Sequence, residues 1–337
     1  YEHARWRGAG MPRIGQRADR DNPHRHEDAA MMSNEQLEKA LRDGELDVAA
    51  GTAWLWARAG MAASVDTLFV DEAGQLSLAN VLAVAGAARN LVLLGDPQQL
   101  AQPSHATHPP GAGVSALEHI LGDRATMPEG AGLLLDQTWR MHPDLCRFTS
   151  AAFYDGKLHG VDGLGRQEIV GSGPAGAGLR VAEVAHQGNT NASPEEAAEV
   201  ARLTGRLTAC SWRDKDGVVR AVGVGDVLIV TPYNAQIRAI QGALAASGQR
   251  GFKVGTVDKF QGREAPLVIY SMATSSADEA PRGLDFLYDL HRLNVATSRA
   301  RVLAIIVASP DLIRVSCRTP HQMVLANALC RAWETSG

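Results

Sequence analysis

Two kinds of apolar pattern alternate along this chain. Short continuous hydrophobic runs end in acidic residues or glycine, and between them apolar positions recur at helical spacing. Asp66-Thr67-Leu68-Phe69-Val70-Asp71-Glu72 and Asn90-Leu91-Val92-Leu93-Leu94-Gly95-Asp96 are runs of the first kind, with a helical segment between them. Unbroken apolar runs predict strands buried on both faces, as in a parallel sheet. Strand, helix and strand in that order predict a βαβ unit, whose ligands bind beyond the carboxyl ends of the strands, where these acids stand. Upstream, Leu37 and Leu41 predict a helix from Asn34, followed by a strand over Asp47–Gly51 that reaches a loop at Thr52.

After a loop rich in Pro, His and Gly (101–113), the pattern restarts at Leu133-Leu134-Leu135, with a helix near Pro143–Phe153 and a glycine-rich stretch from Gly160 to Gly178. Strands are then predicted at Leu179–Val184, Val227–Val230, Phe252–Thr256, Leu267–Ser271 and Leu303–Val307. Helices are predicted near Pro194–Trp212, Ala235–Ala246 and Phe286–Arg299. The whole reads as two α/β domains, residues 1–130 and 131–337, with the first 30 residues loop-like.

With 337 residues, 45% of them hydrophobic, the chain is long enough for two cores. Its longest apolar stretch, Leu76–Leu94, is interrupted by Asn80, Arg89 and Asn90, so no membrane span is expected. Cys146, Cys210, Cys317 and Cys330 are scattered without C-x-x-C spacing, which fits reduced thiols and a cytoplasmic location. His24 and His26 are two residues apart without further ligands and read as a solvated loop. A net charge of -4 excludes a uniformly basic nucleic-acid binder but leaves room for a local cationic groove.

The acids at the strand ends carry the candidate chemistry. Asp71-Glu72 after an apolar strand is the arrangement of a Walker B site: one carboxylate holds Mg²⁺ and its neighbour activates water. Asp71-Glu72-Ala73-Gly74-Gln75 is followed by Gly95-Asp96-Pro97-Gln98-Gln99-Leu100 and Thr138-Trp139-Arg140-Met141-His142-Pro143. Further on come Thr231-Pro232-Tyr233-Asn234, the segment Gly255–Glu264, and Arg292-Leu293-Asn294-Val295-Ala296-Thr297-Ser298-Arg299-Ala300-Arg301. These six segments, in this order, resemble the motifs of superfamily 1B helicases, the group typified by the up-frameshift RNA helicases.

That resemblance implies P-loop NTPase (RecA-like) parallel sheets with flanking helices, an incomplete first RecA-like domain and a complete second one. It implies ATP and Mg²⁺ as cofactors and single-stranded DNA or RNA as partner. Glu72 would activate water, Asp71 would hold the metal and contact nucleotide, and Gln99 would position the γ-phosphate. Gln75, Gly262 and Glu264 would border the nucleotide, and Trp139 would stack on adenine. Arg140 and Arg299 would neutralise charge on the transferred phosphoryl group, a task suited to a planar fork of donors. Arg301 reads as a structural partner. Thr52, Thr231, Tyr233 and Thr256, at loops or strand ends, would donate to the phosphates of a single strand.

Two departures qualify the family pattern. The phosphate loop G-x-x-x-x-G-K-[ST] is absent: Gly156-Lys157 is followed by Leu158 and lies after the arginine motif. Pro266 stands where relatives carry an acidic residue. The expectation is therefore a segment of an ATP-dependent helicase whose phosphate loop lies upstream in the intact protein, with room for an upstream nuclease domain. The competing expectation is a binding module for nucleic acid or a partner, without ATP turnover.

Overall fold

The computed structural model describes residues 12–17, 28–100, 113–260 and 262–336. His24, His26, most of the 101–113 loop and Gln261 lie outside them. The chain divides into two units: Tyr1–Pro97 with Ala101–Gly122, and Gln98–Leu100 with Asp123–Gly337. The expected boundary at 130 therefore moves to Gly122, and Gln98-Gln99-Leu100 belongs with the second unit.

In the first unit, β1 (Ile14–Arg17), β2 (Ala29–Met32) and β3 (Val48–Ala50) form a parallel sheet of order β2-β1-β3. A second parallel pair is β4 (Val65–Val70) with β5 (Ala88–Leu93), in register from Val65 opposite Ala88 to Val70 opposite Leu93. The helices are α1 (Asn34–Arg42), α2 (Ala53–Trp56), α3 (Leu78–Ala85) and α4 (Ala116–Leu121). Ser33 and Gln36 close a capping box on α1, which satisfies backbone donors that a helix start leaves orphaned. Leu37, Leu55, Met61, Leu68, Val70, Val81 and Leu117 make the core.

That core covers one face of β4 and β5. Phe69 on the opposite face is 64% exposed, and Leu91 and Leu94 are exposed too. The expectation of strands buried on both faces fails here, because the described residues supply a layer on one side only.

The second unit begins with the short pair β6 (Gln137–Thr138) and β7 (His159–Gly160), and α5 (Pro143–Phe153) lies between them in sequence. Next come β8 (Glu168–Val170), β9 (Gly178–Glu183), α6 (Pro194–Thr208), β10 (Ser211–Arg213), β11 (Val219–Ala221) and β12 (Val227–Thr231). The chain continues through α7 (Asn234–Ala246), β13 (Lys253–Thr256), β14 (Ala265–Ser271), α8 (Leu284–Leu287), α9 (Leu290–Ser298), β15 (Ala300–Ala308) and α10 (Pro320–Ser336). The main sheet is five-stranded and parallel, in the order β13-β12-β14-β15-β9.

Strand periodicity explains its layers, since successive side chains point to opposite faces. Leu228, Val230, Val268, Tyr270, Ala304 and Ile306 enter one core with residues of α5, α9 and α10. Val227, Ile229, Leu267, Ile269, Leu303 and Ile305 enter another with residues of α6 and α7. The sheet is thus covered by helices on both faces, as its continuous apolar runs predict.

Where the apolar pattern restarts, Leu133 and Leu135 are exposed coil, and one predicted helix is shorter than expected. α6 stops at Thr208, and Trp212 instead lies on β10, in the antiparallel sheet β11-β10-β8, fully buried with the Arg220 guanidinium 4.2 Å from its ring centroid. Pro266 falls where the pairing of β14 with β15 shifts register between Ala265 and Leu267, a place suited to a residue with no amide proton to offer a ladder. Among the described residues no helix is long and apolar enough to cross a membrane.

Candidate nucleotide and nucleic-acid site

The first unit holds the acidic candidate residues. β4 delivers Asp71 and Glu72 to its carboxyl end, and neighbouring β5 delivers Gly95 and Asp96 to the same end. Ala73 donates its amide to the Leu94 carbonyl at 2.8 Å, and Leu94 donates to Val70 at 2.8 Å, so the two loops are laced together. A Cβ on Gly74 would lie 2.6 Å from the Asp96 carbonyl oxygen, which explains why glycine stands there. Glu72 itself has φ 53, an uncommon conformation for a residue with a side chain. It is held by its amide, donated to Asp71 Oδ1 at 2.9 Å, and by Gln75 Nε2, which donates to Glu72 Oε2 at 2.8 Å.

Asp71, Glu72 and Gln75 are therefore one connected group, with both acids exposed. Strained backbone at an exposed pair of acids is where functional geometry concentrates. Among the described residues no cluster of three or more His, Cys, Asp or Glu side chains is placed to hold a metal ion. The exposed Asp71 carboxylate still fits Mg²⁺, which is commonly bound through one or two carboxylates, with water and substrate phosphate completing its shell. Such an ion would neutralise phosphate charge during transfer. The same unit has a cavity of about 830 Å³, lined by Val48–Ala53 and Ser64–Asp71 among others, and the exposed Thr52 lies on its wall.

The second unit holds the cationic candidate residues. Arg140 donates from Nε to Glu264 Oε2 at 2.5 Å and from Nη1 to the Ser298 carbonyl at 3.3 Å. Arg301 Nε lies 3.2 Å from the other oxygen of Glu264. These side chains are about one third exposed, and partly exposed ion pairs contribute on the order of 0–1 kcal/mol, so Arg140 is held without being locked. Trp139 beside it is 74% exposed, which excludes a core role and leaves its ring free to stack. Gly262, also exposed, adopts φ 74.

Arg299 is only 3% exposed and donates from Nη2 to Gln99 Oε1 at 3.0 Å. α9 grips the segment that carries Gln99: His291 Nδ1 lies 2.7 Å from the Gln99 carbonyl, and Asn294 Nδ2 donates to the Gln98 carbonyl at 2.8 Å. Two motifs 200 positions apart in sequence thus meet within one unit. His291 and Asn294 were not among the sequence candidates, although Asn294 lies inside the quoted segment Arg292–Arg301 and His291 immediately precedes it.

The nucleic-acid candidates divide. Thr256 is partly exposed at the end of β13. Thr231 (0% exposed) and Tyr233 (7%) are interior, so their hydroxyls are not presented to a strand and only backbone N–H groups would be left to donate there. The cause is position: Thr231 ends β12, which lies between β13 and β14, and Tyr233 packs with its ring centroid 5.6 Å from that of Phe286. Burial pushes the Tyr233 phenol up from its ordinary value.

One residue of the Thr138–Pro143 segment gives a pH test. His142 caps α5, its Nδ1 accepting the Asp144 amide at 3.1 Å, and burial holds the imidazole below its usual 6.5 despite nearby Asp144. A proton on Nδ1 removes that acceptor. Because the folded-state value is depressed, this contribution is present above about pH 6.5 and is lost as pH falls through the folded value. Acidification from about pH 7 to about pH 5 should therefore cost the wild type roughly 1 kcal/mol more than His142→Asn, whose cap does not titrate. Urea midpoints that fall in parallel for the two proteins would refute this role.

The five-stranded parallel sheet between helix layers defines the class: an α/β RecA-like fold of the helicase type. The family description for the AAA domain matches residues 114–311, and the chain belongs to that family as it occurs in up-frameshift-like superfamily 1 helicases. It is 29% identical over 302 residues to the 3'-5' exoribonuclease HELZ2 of Mus musculus, covering 78% of this chain and 10% of that protein. It is 26% identical to helicase sen1 of Schizosaccharomyces pombe (74% and 15% covered). It is 31% identical to the regulator of nonsense transcripts 1 homolog of Arabidopsis thaliana (67% and 18% covered). The chain thus spans about a tenth to a fifth of these relatives. Among solved structures, the arterivirus nonstructural protein 10 helicase aligns with 92% of this chain and 49% of its own, at 14% identity and a TM-score of 0.40.

Proposed function

We propose that this helicase segment couples ATP hydrolysis to translocation on single-stranded nucleic acid in an intact, longer protein. The observation that carries this reading is the Arg299–Gln99 hydrogen bond, which joins the arginine motif to the glutamine expected to sense the γ-phosphate. Asp71 and Glu72 would supply metal binding and water activation, and Arg140 and Arg299 charge neutralisation. Gly262 and Glu264 would border the nucleotide, and Trp139 would stack on its base.

The phosphate loop would come from a preceding segment. Phe69, exposed on the face of β4 away from the core, is an apolar position that such a segment would bury. A nuclease domain elsewhere in the intact protein is part of the same proposal, since a relative is named an exoribonuclease.

A second reading, nucleic-acid binding without turnover, is favoured for these residues alone, because G-x-x-x-x-G-K-[ST] is absent from them. The deciding experiment measures ATPase activity with and without single-stranded DNA or RNA, on this chain and on a protein extended at its N-terminus through a phosphate loop. Stimulated turnover only in the extended protein is the expected result. An extended protein that binds ATP but shows no stimulation would sink the motor reading.

A further inference from the structure

Beyond the motif residues, one arginine of the second unit stands out by how it is held. Arg282 is exposed, and its guanidinium carbon lies 3.8 Å from the ring centroid of Phe286, on α8. Among the described residues no carboxylate lies within ion-pair distance of it. Three acids of the same unit are engaged elsewhere: Asp258 with Arg292 Nη1 at 3.3 Å, Asp289 with the Arg292 amide at 2.7 Å, and Glu279 with the Gly188 amide at 2.8 Å; Asp278 and Asp285, near Arg282 in sequence, make no ion pair with it. Arg292 also lies over the Phe286 ring, at 4.3 Å, and Tyr233 backs that ring from within.

Arginine usually gains its fixed geometry from a carboxylate. Here an aromatic ring orients the plane by cation–π attraction and leaves the fork of donors open to a ligand. Tyr233 directly follows the residues at the carboxyl end of β12, the side of a parallel sheet on which ligands bind. A phosphodiester matches a fork of paired donors, and an aromatic–arginine stack suits a flexible single strand.

From this geometry we infer that Arg282, oriented by Phe286, is a phosphodiester-binding residue for single-stranded nucleic acid. This rests on the nucleic-acid reading of the proposed function and replaces Tyr233 with Arg282 as the contacting side chain, Tyr233 becoming its support. The contact is to backbone and carries no sequence preference.

The test is fluorescence anisotropy of a labelled single-stranded oligonucleotide with the full chain, across a salt series. Arg282→Ala is expected to weaken binding roughly three- to tenfold at low salt and to lower the slope of log K against log salt by about 0.7, one phosphate contact on a single strand. Arg282→Lys should keep the slope and recover part of the affinity, since it keeps the charge but loses the fork. An unchanged slope in Arg282→Ala, with wild-type binding intact, would overturn this inference alone. Failure of the wild type to bind any single strand would overturn both it and the nucleic-acid reading. Equal competition by poly-glutamate would show a general anion patch and also overturn it.

Discussion

Glu196→Ala should lower the stability of the second unit by about 3–5 kcal/mol, the cost typical of removing one partner from a buried polar pair. Glu196 and His186 are both fully buried, with Glu196 Oε1 3.0 Å from His186 Nε2. The other carboxyl oxygen accepts the Ser271 hydroxyl at 2.7 Å and the Ala273 amide at 2.8 Å. His186 Nδ1 lies 2.7 Å from Ser275 Oγ, and Gln236 Nε2 donates to Ser271 Oγ at 2.9 Å. One side chain therefore ties α6 to the loop leaving β14, where Ala273 adopts φ 68, and through Ser271 to α7.

Alanine would leave a buried amide, a buried hydroxyl and an imidazole without their acceptor, each costing on the order of 1–3 kcal/mol. With a urea slope of about 2 kcal/mol per M, the midpoint should fall by roughly 2 M. Glu196→Gln, which retains an acceptor oxygen, should lose less. A shift below about 0.5 M for alanine would mean that the network contributes little.

Glu72→Gln, in a protein extended through a phosphate loop, should lower ATP turnover by about 10²–10⁴-fold while leaving ATP affinity within a few-fold of wild type. Glutamine keeps the size of the side chain but cannot take a proton from water. The conformation should survive, because Glu72 is held by its own amide on Asp71 and glutamine still offers an oxygen to Gln75. Arg299→Ala supplies the contrast: it should reduce hydrolysis with modest loss of nucleotide affinity, whereas equal losses in both would indicate ground-state binding. Turnover unchanged in Glu72→Gln would remove Glu72 as the activating group.

The candidate residues of the two units were legible in sequence to different degrees. Asp71 and Glu72 follow a continuous apolar run, so strand and loop could be read from one short segment, and the proposed chemistry rests on the same residues. The same holds for the strands of the second unit, whose unbroken Val, Ile and Leu runs are buried on both faces. By contrast, the strand-end position of Thr231 and the loop position of Tyr233 suggest surface donors, and neighbours distant in sequence bury both side chains.

Glu196 shows the same division. Ser193 and Glu196 have the spacing of a capping box, in which Glu196 would reach back to the Ser193 amide. Instead Gln236 accepts that amide at 2.8 Å, and Glu196 turns inward to His186 and Ser271. Nothing local in the chain signals that exchange.

The missing phosphate loop, the order of the motifs and the parallel α/β character follow from the sequence by itself, because each is a property of contiguous residues and their periodicity. Tertiary structure decided that Gln99 sits with Arg299, that Arg140 and Arg301 share Glu264, and that Arg282 is held by a ring instead of a carboxylate. The physical reason is range. Backbone pattern is set within a few residues, whereas the partner of a long polar side chain depends on which distant segments folding brings within about 3 Å.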